Sequence, residues 1–370
     1  MSRCLELARL GAGYVSPNPL VGAVVVSEEG LVLGEGWHGR YGGPHAEVWA
    51  IRDALRRHDP EALKRATLYV NLEPCSHVGK TPPCSDLIVE TGIPGVVVGM
   101  IDPFPRVSGR GIRRLEAAGV RVKVGVLGHE SRRLNEAFTH HIETSRPLVT
   151  LKVAQSLDGH VATASGASQW ITGPESRALV HRWRAELDAV LVGSGTARRD
   201  DPALTVRHVE GRQPLRIVMD SRGALSPGLR LFTDEHASST VAVVAEGTRP
   251  AYAGQLAAAK GRVLPVPCRS DGLLDLHEMF ALLGQSGGRD GCPVQSVLAE
   301  AGPRLATALF RMDLVDRYFL FLAPKLLGAG IPAVGDLGIA DLEQALLFAE
   351  TEWERVGADL LLKAYRRALA

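Results

Sequence analysis

Pro44-His45-Ala46-Glu47 and, thirty residues after His45, Pro74-Cys75 with Cys84 closing LEPCSHVGKTPPC are the strongest constraint on how this chain folds. If these side chains meet, two chain segments that begin helices must converge on one point. One imidazole and two thiols supply three ligands and leave a fourth position open on a tetrahedral zinc, the arrangement of a catalytic rather than a structural site. That position takes a water whose pKa the metal lowers toward neutrality, and Glu47 is then a proton carrier rather than a ligand. Residues two apart on a helix point about 200° away from each other, so His45 and Glu47 reach one point only from the first turn. Pro82-Pro83 before Cys84 places that cysteine at a helix start, where proline is favoured, and helix N-termini favour thiolates. Two readings stand against the metal: a pair of core cysteines beside an ordinary helix start, or a disulfide.

The rest of the composition bears on that choice. Five cysteines in 370 residues are too few, and odd in number, for a disulfide framework. Cys4, Cys268 and Cys292 lie far in sequence from further ligand candidates and read as small core residues. With 42 basic against 41 acidic residues there is no charge bias toward nucleic acid or a membrane surface. No apolar run reaches the roughly 18 residues of a spanning helix. The N-terminal MSRCLELARLGAGYV reads as a short amphipathic helix ended by glycine, without the features of a secretory signal. The expectation is a cytoplasmic protein of two domains.

Along the chain, PLVGAVVV and LVLGEGW read as strands and PHAEVWAIRDALRRHD as a helix with Val48, Ile51 and Leu55 at helical spacing. ATLYVNLEP, PGVVVGMID and VRVKVGV are further strands, with SDLIVETG and GRGIRRLEAAG as helices between them. This alternation predicts an α/β sandwich with catalytic loops at strand ends. A polar connector near Ser145 and Pro147 marks the boundary, giving domains 1–145 and 146–370. The second half alternates again: AVLVGSG, LRIVMD, TVAVVA, SVLAEAG and RYFLFLAP, the last either a core strand or an interface. VLVGSGTARRDDP offers a glycine turn that approaches a phosphate, with Arg198 or Arg199 assisting. Arg198 stands where a third glycine would complete the dinucleotide fingerprint, so a Rossmann reading fails.

Zinc deaminases carry His-x-Glu followed by Pro-Cys-x-x-Cys, and this chain departs in having eight residues between its cysteines. HAE with LEPCSHVGKTPPC resembles the bifunctional deaminase–reductase of riboflavin biosynthesis. The resemblance runs on through PNPLVGAVVV, IDPFPRVSGRGIRRLEAAGV, LKVAQSLDG, SGASQWITG, RRDDPALTVR and AEAGPRLATALF, nearly the whole chain in order. It implies a cytidine-deaminase-like α/β sandwich followed by a dihydrofolate-reductase-like α/β domain. The implied substrate is 2,5-diamino-6-ribosylamino-4(3H)-pyrimidinone 5′-phosphate, which loses its 2-amino group before NADPH reduces the ribosyl group to ribityl. The zinc ligands it implies are His45, Cys75 and Cys84, with Glu47 as acid and base. Asn18, His77, Lys80 and Asp102 match positions that hold the base, ribose or phosphate, although Asn18 between prolines also suits a turn and Lys80 a solvated loop. Phe104 stands where the family often has asparagine, which weakens a substrate contact there.

In the second domain the resemblance assigns Ala154, Trp170, Thr196, Asp200, Ser221 and the stretch from Gly302 to NADPH. It assigns Ser168, Arg184, Leu204, Arg207 and Glu300 to the substrate, where two arginines suit a phosphate. Lys152, which also falls on the substrate side, and Asp200 are candidates for proton delivery. A homo-oligomer is compatible with these features. A polynucleotide-editing deaminase needs a basic, aromatic strand path, which the near charge balance of the first domain does not provide. The serious alternative is a deaminase alone, with a second domain that is inactive or uses another reductant.

Overall fold

The computed structural model describes residues 1–76 and 82–369. Two compact units divide it, Met1–Thr144 and Ser145–Ala368. The first unit holds α1 (Ser2–Arg9), β1 (Gly22–Val26), β2 (Val32–Trp37), α2 (Ala46–Arg57), β3 (Thr67–Leu72), α3 (Cys84–Glu90), β4 (Gly95–Met100), α4 (Arg110–Ala117), β5 (Arg121–Val124), α5 (Gly128–Leu134) and α6 (Glu136–Thr144). Its sheet runs β2-β1-β3-β4-β5. β1 is antiparallel to both neighbours, and β3, β4 and β5 are parallel. Side chains alternate across a strand. Thus Ala23 and Val25 of β1 join the core under α2, while Val24 packs with Cys4 and Leu7 of α1 on the other face.

The packing of α2 on β2 sets the site. The helix buries Ala46, Glu47, Ala50, Ile51 and Ala54. Of the spacing read from sequence only Ile51 lies on that face; Val48 is half-buried and Leu55 exposed. Small residues line the contact because the backbones nearly touch. A Cβ at Gly34 would come within 2.3 Å of the Ala50 carbonyl, and one at Gly36 within 2.4 Å of the Ala50 nitrogen. Near the N-terminus, α1 ends at Arg9, two residues before Gly11. Gly11 serves close packing, since a Cβ there would lie 2.4 Å from the His38 carbonyl.

The second unit comprises β6 (Leu148–Ser156), β7 (His160–Thr163), α7 (Pro174–Glu186), β8 (Ala189–Gly193), α8 (Ser194–Asp200), β9 (Leu215–Met219), α9 (Arg230–Thr233), β10 (Thr240–Ala245), α10 (Ala253–Ala258), β11 (Arg262–Val266), α11 (Leu276–Ser286), β12 (Ser296–Ala299), α12 (Pro303–Arg311), β13 (Arg317–Ala323), β14 (Gly330–Pro332), β15 (Glu350–Val356) and β16 (Asp359–Tyr365). The main sheet runs β11-β10-β9-β8-β12-β6-β13-β16-β15. Its first seven strands are parallel, and β16 and β15 close it as an antiparallel hairpin. RYFLFLAP is therefore an interior strand, between β6 and β16. Both faces are covered: Ala189 and Leu191 of β8 point into one core, Val190 and Val192 into the other.

Cys4 is buried, as a small core residue should be, but Cys268 is exposed at an isolated bridge to Leu274. Among the described residues no helix is long and apolar enough to cross a membrane.

Candidate active sites

His45 is the residue capping the start of α2, and Cys84 is the first residue of α3. Both project from helix starts toward Cys75, just past the end of β3. His45 Nδ1 lies 3.6 Å from Cys75 Sγ and 3.3 Å from Cys84 Sγ, and the three atoms all fall within 4.8 Å of one another. Around a tetrahedral zinc, bonds of about 2.3 Å to sulfur and 2.05 Å to nitrogen set neighbouring S and N about 3.6 Å apart. The donor set and its spacing therefore fit zinc. Cys84 also donates its backbone N–H to Cys75 Sγ at 3.3 Å. Hydrogen bonding from the Cys84 thiol, followed by the His45 imidazole, holds Cys75 well below the usual thiol range, and the same contact pushes Cys84 up.

Glu47 is 3% exposed. Burial pushes its carboxyl up to about 7, against the pull of the His45 imidazole. A carboxyl held near neutrality gives and takes protons with little driving force either way. His45, Glu47 and Cys75 face a cavity of about 280 Å³ lined also by Asn18, His38, Glu73, Asp102, Phe104, Phe138 and Ile142.

The position of Asn18 is fixed from three sides. Asn71 and Asn135 grip the backbone at Leu20, each donating to its carbonyl, at 2.9 and 3.0 Å. The side-chain amide of Asn18 lies 3.0 Å from His38 Nε2, and His38 Nδ1 lies 3.0 Å from the Pro44 carbonyl. A carbonyl only accepts, so Nδ1 carries the proton and Nε2 accepts from the amide, leaving the Asn18 oxygen as an acceptor for a ligand. Burial lowers the pKa of His38, consistent with this neutral tautomer. Asp102 is buried, accepts from the Phe104 N–H at 2.8 Å, and is raised to about 6 by that burial. Phe104 lies in the same wall, so the polar side chain expected there is replaced by an aromatic face. His77 and Lys80 lie outside the described residues.

Sequence reasoning passed over Glu73. Its carboxylate accepts from four backbone N–H groups, Asp102 at 3.2 Å, Gly109 and Gly111 at 2.9 Å and Ile112 at 3.2 Å. It ties the loop carrying Asp102 and Phe104 to the start of α4. It also missed His38, Phe138 and Ile142. A buried glutamate beside a ligand cysteine was the one available signal.

In the second unit a cavity of about 430 Å³ opens beyond the carboxyl ends of β6, β8 and β12, where ligands bind in open α/β sheets. Lys152, Ala154, Ser168, Trp170, Arg184, Thr196, Asp200, Leu204, Arg207, Glu300 and Gly302 all line it. Ser221 does not; it lies past β9, where its carbonyl accepts from the Ala245 N–H at 3.1 Å. Arg184 forms a bidentate pair with Glu300, at 2.6 and 2.8 Å. Burial would raise Glu300, but Arg184 and then Lys152 outweigh it and hold the carboxyl near 2. Lys152 is partly buried, its ammonium 5.9 Å from the Phe321 ring centre. Burial pulls its pKa down, with Glu300 opposing. Trp170 is exposed and carries the Arg177 guanidinium over its ring at 4.6 Å. Gly302 caps the start of α12, and it and Pro303 lie in the cavity lining.

Residues 1–100 match the cytidine and deoxycytidylate deaminase zinc-binding region, and residues 147–362 match the RibD C-terminal domain. The riboflavin biosynthesis protein RibD of Aquifex aeolicus is 41% identical over 98% of this chain and 96% of its own length. That of Escherichia coli is 40% identical over 98% and 97%. The chain belongs to the RibD family.

A Thermotoga maritima structure described as a diaminohydroxyphosphoribosylaminopyrimidine deaminase/5-amino-6-(5-phosphoribosylamino)uracil reductase superposes with a TM-score of 0.83 at 36% identity, over 99% of this chain and 97% of that one. Like its RibD relatives, the chain is a bifunctional enzyme of riboflavin biosynthesis acting on small molecules, a zinc-binding deaminase domain joined to a reductase domain. The region matched to the zinc-binding family contains His45, Cys75 and Cys84.

Proposed function

We propose that this RibD chain deaminates 2,5-diamino-6-ribosylamino-4(3H)-pyrimidinone 5′-phosphate in its first unit and reduces the ribosyl group of the product with NADPH in its second. The observation carrying the first assignment is Glu47, buried beside a His/Cys/Cys cluster of zinc-binding dimensions. His45, Cys75 and Cys84 hold the zinc, which when bound makes water a competent nucleophile at neutral pH. Glu47 takes a proton from the attacking water and gives it to the ring nitrogen; the second proton, from the hydroxyl now on the ring carbon, passes through Glu47 to the amino group, which leaves as ammonia. The Asn18 oxygen accepts from an N–H of the base, Asp102 offers a second polar contact, and Phe104 gives the ring an apolar face. His77 and Lys80 belong to the same proposed substrate site by the family match.

In the second unit NADPH, when bound, supplies the hydride for the sugar carbon attached to nitrogen in its open imine form. Ala154, Trp170, Thr196, Asp200, Ser221 and Gly302 are assigned to that cofactor, supported by the shared cavity for all but Ser221. Arg184, Arg207, Ser168, Leu204 and Glu300 take the substrate. Arg207 has its pKa lowered by burial and then by Arg184 and Arg230, a surplus of cations that suits a phosphate. Lys152, easier to deprotonate than an ordinary lysine, delivers the balancing proton, with Asp200 as the other candidate. The protein works in the cytoplasm without nucleic-acid partners, in keeping with its charge balance.

A mass spectrum of the products from zinc-loaded protein, the diaminopyrimidinone ribosyl phosphate and NADPH tests the proposal. A deaminated ribityl product is expected. A product stalled at the deaminated ribosyl stage would leave the chain a deaminase with an idle second unit.

A further inference from the structure

Ala203, Leu204 and Arg207 line the reductase cavity from a stretch, residues 203–207, that belongs to no helix or strand. Side chains hold their backbone instead. Arg216 donates to the Ala203 carbonyl at 3.0 Å and Arg184 to the Thr205 carbonyl at 3.0 Å. Gln213 accepts from the Val206 N–H at 2.7 Å and donates to its carbonyl at 3.1 Å. Finally, His181 Nδ1 accepts from the Arg207 N–H at 3.1 Å. Leu204 sits at φ +52°, a left-handed conformation that a leucine adopts only when its surroundings impose it.

His181 is the member of this set that a proton disables. A backbone N–H only donates, so Nδ1 must stay bare for the contact to exist. The ring is buried on α7, one turn before Arg184. Facing it are Arg184 from the same helix, Arg207 and His208 from the loop, and Glu300 past β12. The His208 ring meets it edge-on at 4.5 Å between centres. Glu300 is already committed to Arg184, so the surroundings are net positive. Burial, then Arg184, lowers the His181 pKa to about 4, which keeps the acceptor in place at neutral pH.

We propose that His181 is a positioning residue of the reductase: by accepting from the Arg207 N–H it fixes the backbone from which the Arg207 guanidinium reaches the anionic group of the substrate. It touches the substrate only through Arg207. The inference rests on the reductase assignment above.

The test uses the full zinc-loaded chain with saturating NADPH and the deaminated ribosylamino phosphate. H181L is expected to raise KM for that substrate about tenfold, with kcat and the NADPH KM changing less than about twofold. H181N, whose Oδ1 takes the place of Nδ1 as acceptor, restores KM to within about threefold. In an R207A background H181L adds less than about twofold, because the route through Arg207 is already gone. Should H181L fail to fold, H181N decides alone: the wild-type KM rises between about pH 5 and pH 4 as His181 protonates, and that of H181N lacks this rise. A full additive loss in the R207A background, or an H181N no better than H181L, overturns the proposal. Wild-type turnover on the same substrate separates the two failures, since a wild-type chain that reduces nothing removes the reductase assignment itself.

Discussion

Glu47 is a buried carboxylate and Glu300 a partly buried one, and their neighbours send them opposite ways. Glu47 faces one imidazole and two sulfurs and is held near neutrality by burial; Glu300 faces Arg184 and Lys152 and stays ionised. The first is equipped to move protons, the second to organise charge. E47Q is expected to keep zinc at the wild-type ratio, measured by metal analysis, while deamination falls by at least about 10²-fold. Loss of zinc from E47Q would make Glu47 a ligand instead. E300Q leaves the Arg184 guanidinium buried without its counter-charge, at a cost of about 3 kcal/mol in the unfolding of the second unit. The sign with pH follows from a folded pKa near 2 against an unfolded one near 4.5. The Glu300 contribution is complete above about pH 5 and lost as pH falls toward 2, so the wild-type advantage over E300Q should shrink across that window in denaturant titrations.

At the scale of elements, the zinc site depends on how closely α2 approaches β2. Gly34 and Gly36 leave room for the helix backbone, and His45 and Glu47 take their places from it. G36A should destabilise the first unit by about 1–3 kcal/mol and lower deamination, with reduction of the deaminated substrate unchanged; a loss of both activities would show that the strain spreads beyond this unit. Much of this level was legible in the sequence. His45 and Cys84 announce helix starts through their own neighbours, Pro44 and Pro83, so short-range chemistry sufficed. The buried face of α2 was not legible, because alanine packed against glycine carries no hydrophobic signature and Val48 and Leu55 drew the eye. Nor was the role of Glu73: the four N–H groups it accepts come from residues 29 to 39 positions away, and only the folded chain brings them to it. Phe138 and Ile142 line the cavity from α6 for the same long-range reason.

Over the whole molecule, two chemistries occupy two compact units, each with its own cores and its own cavity. The alternation of strands and helices foreshadowed both α/β units, but the closing β15–β16 hairpin went unread, since ETEWERV at Glu350–Val356 has charges at four of seven positions, lacks a period-two apolar pattern and lies on an exposed edge. Stripping zinc with a chelator should abolish deamination and lower the unfolding midpoint of the first unit, because metal binding is coupled to folding. Reduction of the deaminated substrate should continue at its former rate. The most direct test of the central claim, two separate sites acting in series, is to give zinc-loaded E47Q and NADPH each substrate in turn and weigh the products. The account predicts that E47Q reduces the deaminated ribosyl phosphate to its ribityl form at the wild-type rate and leaves the diamino compound unchanged. Reduction of the diamino compound without deamination, or failure on the deaminated one, would contradict it.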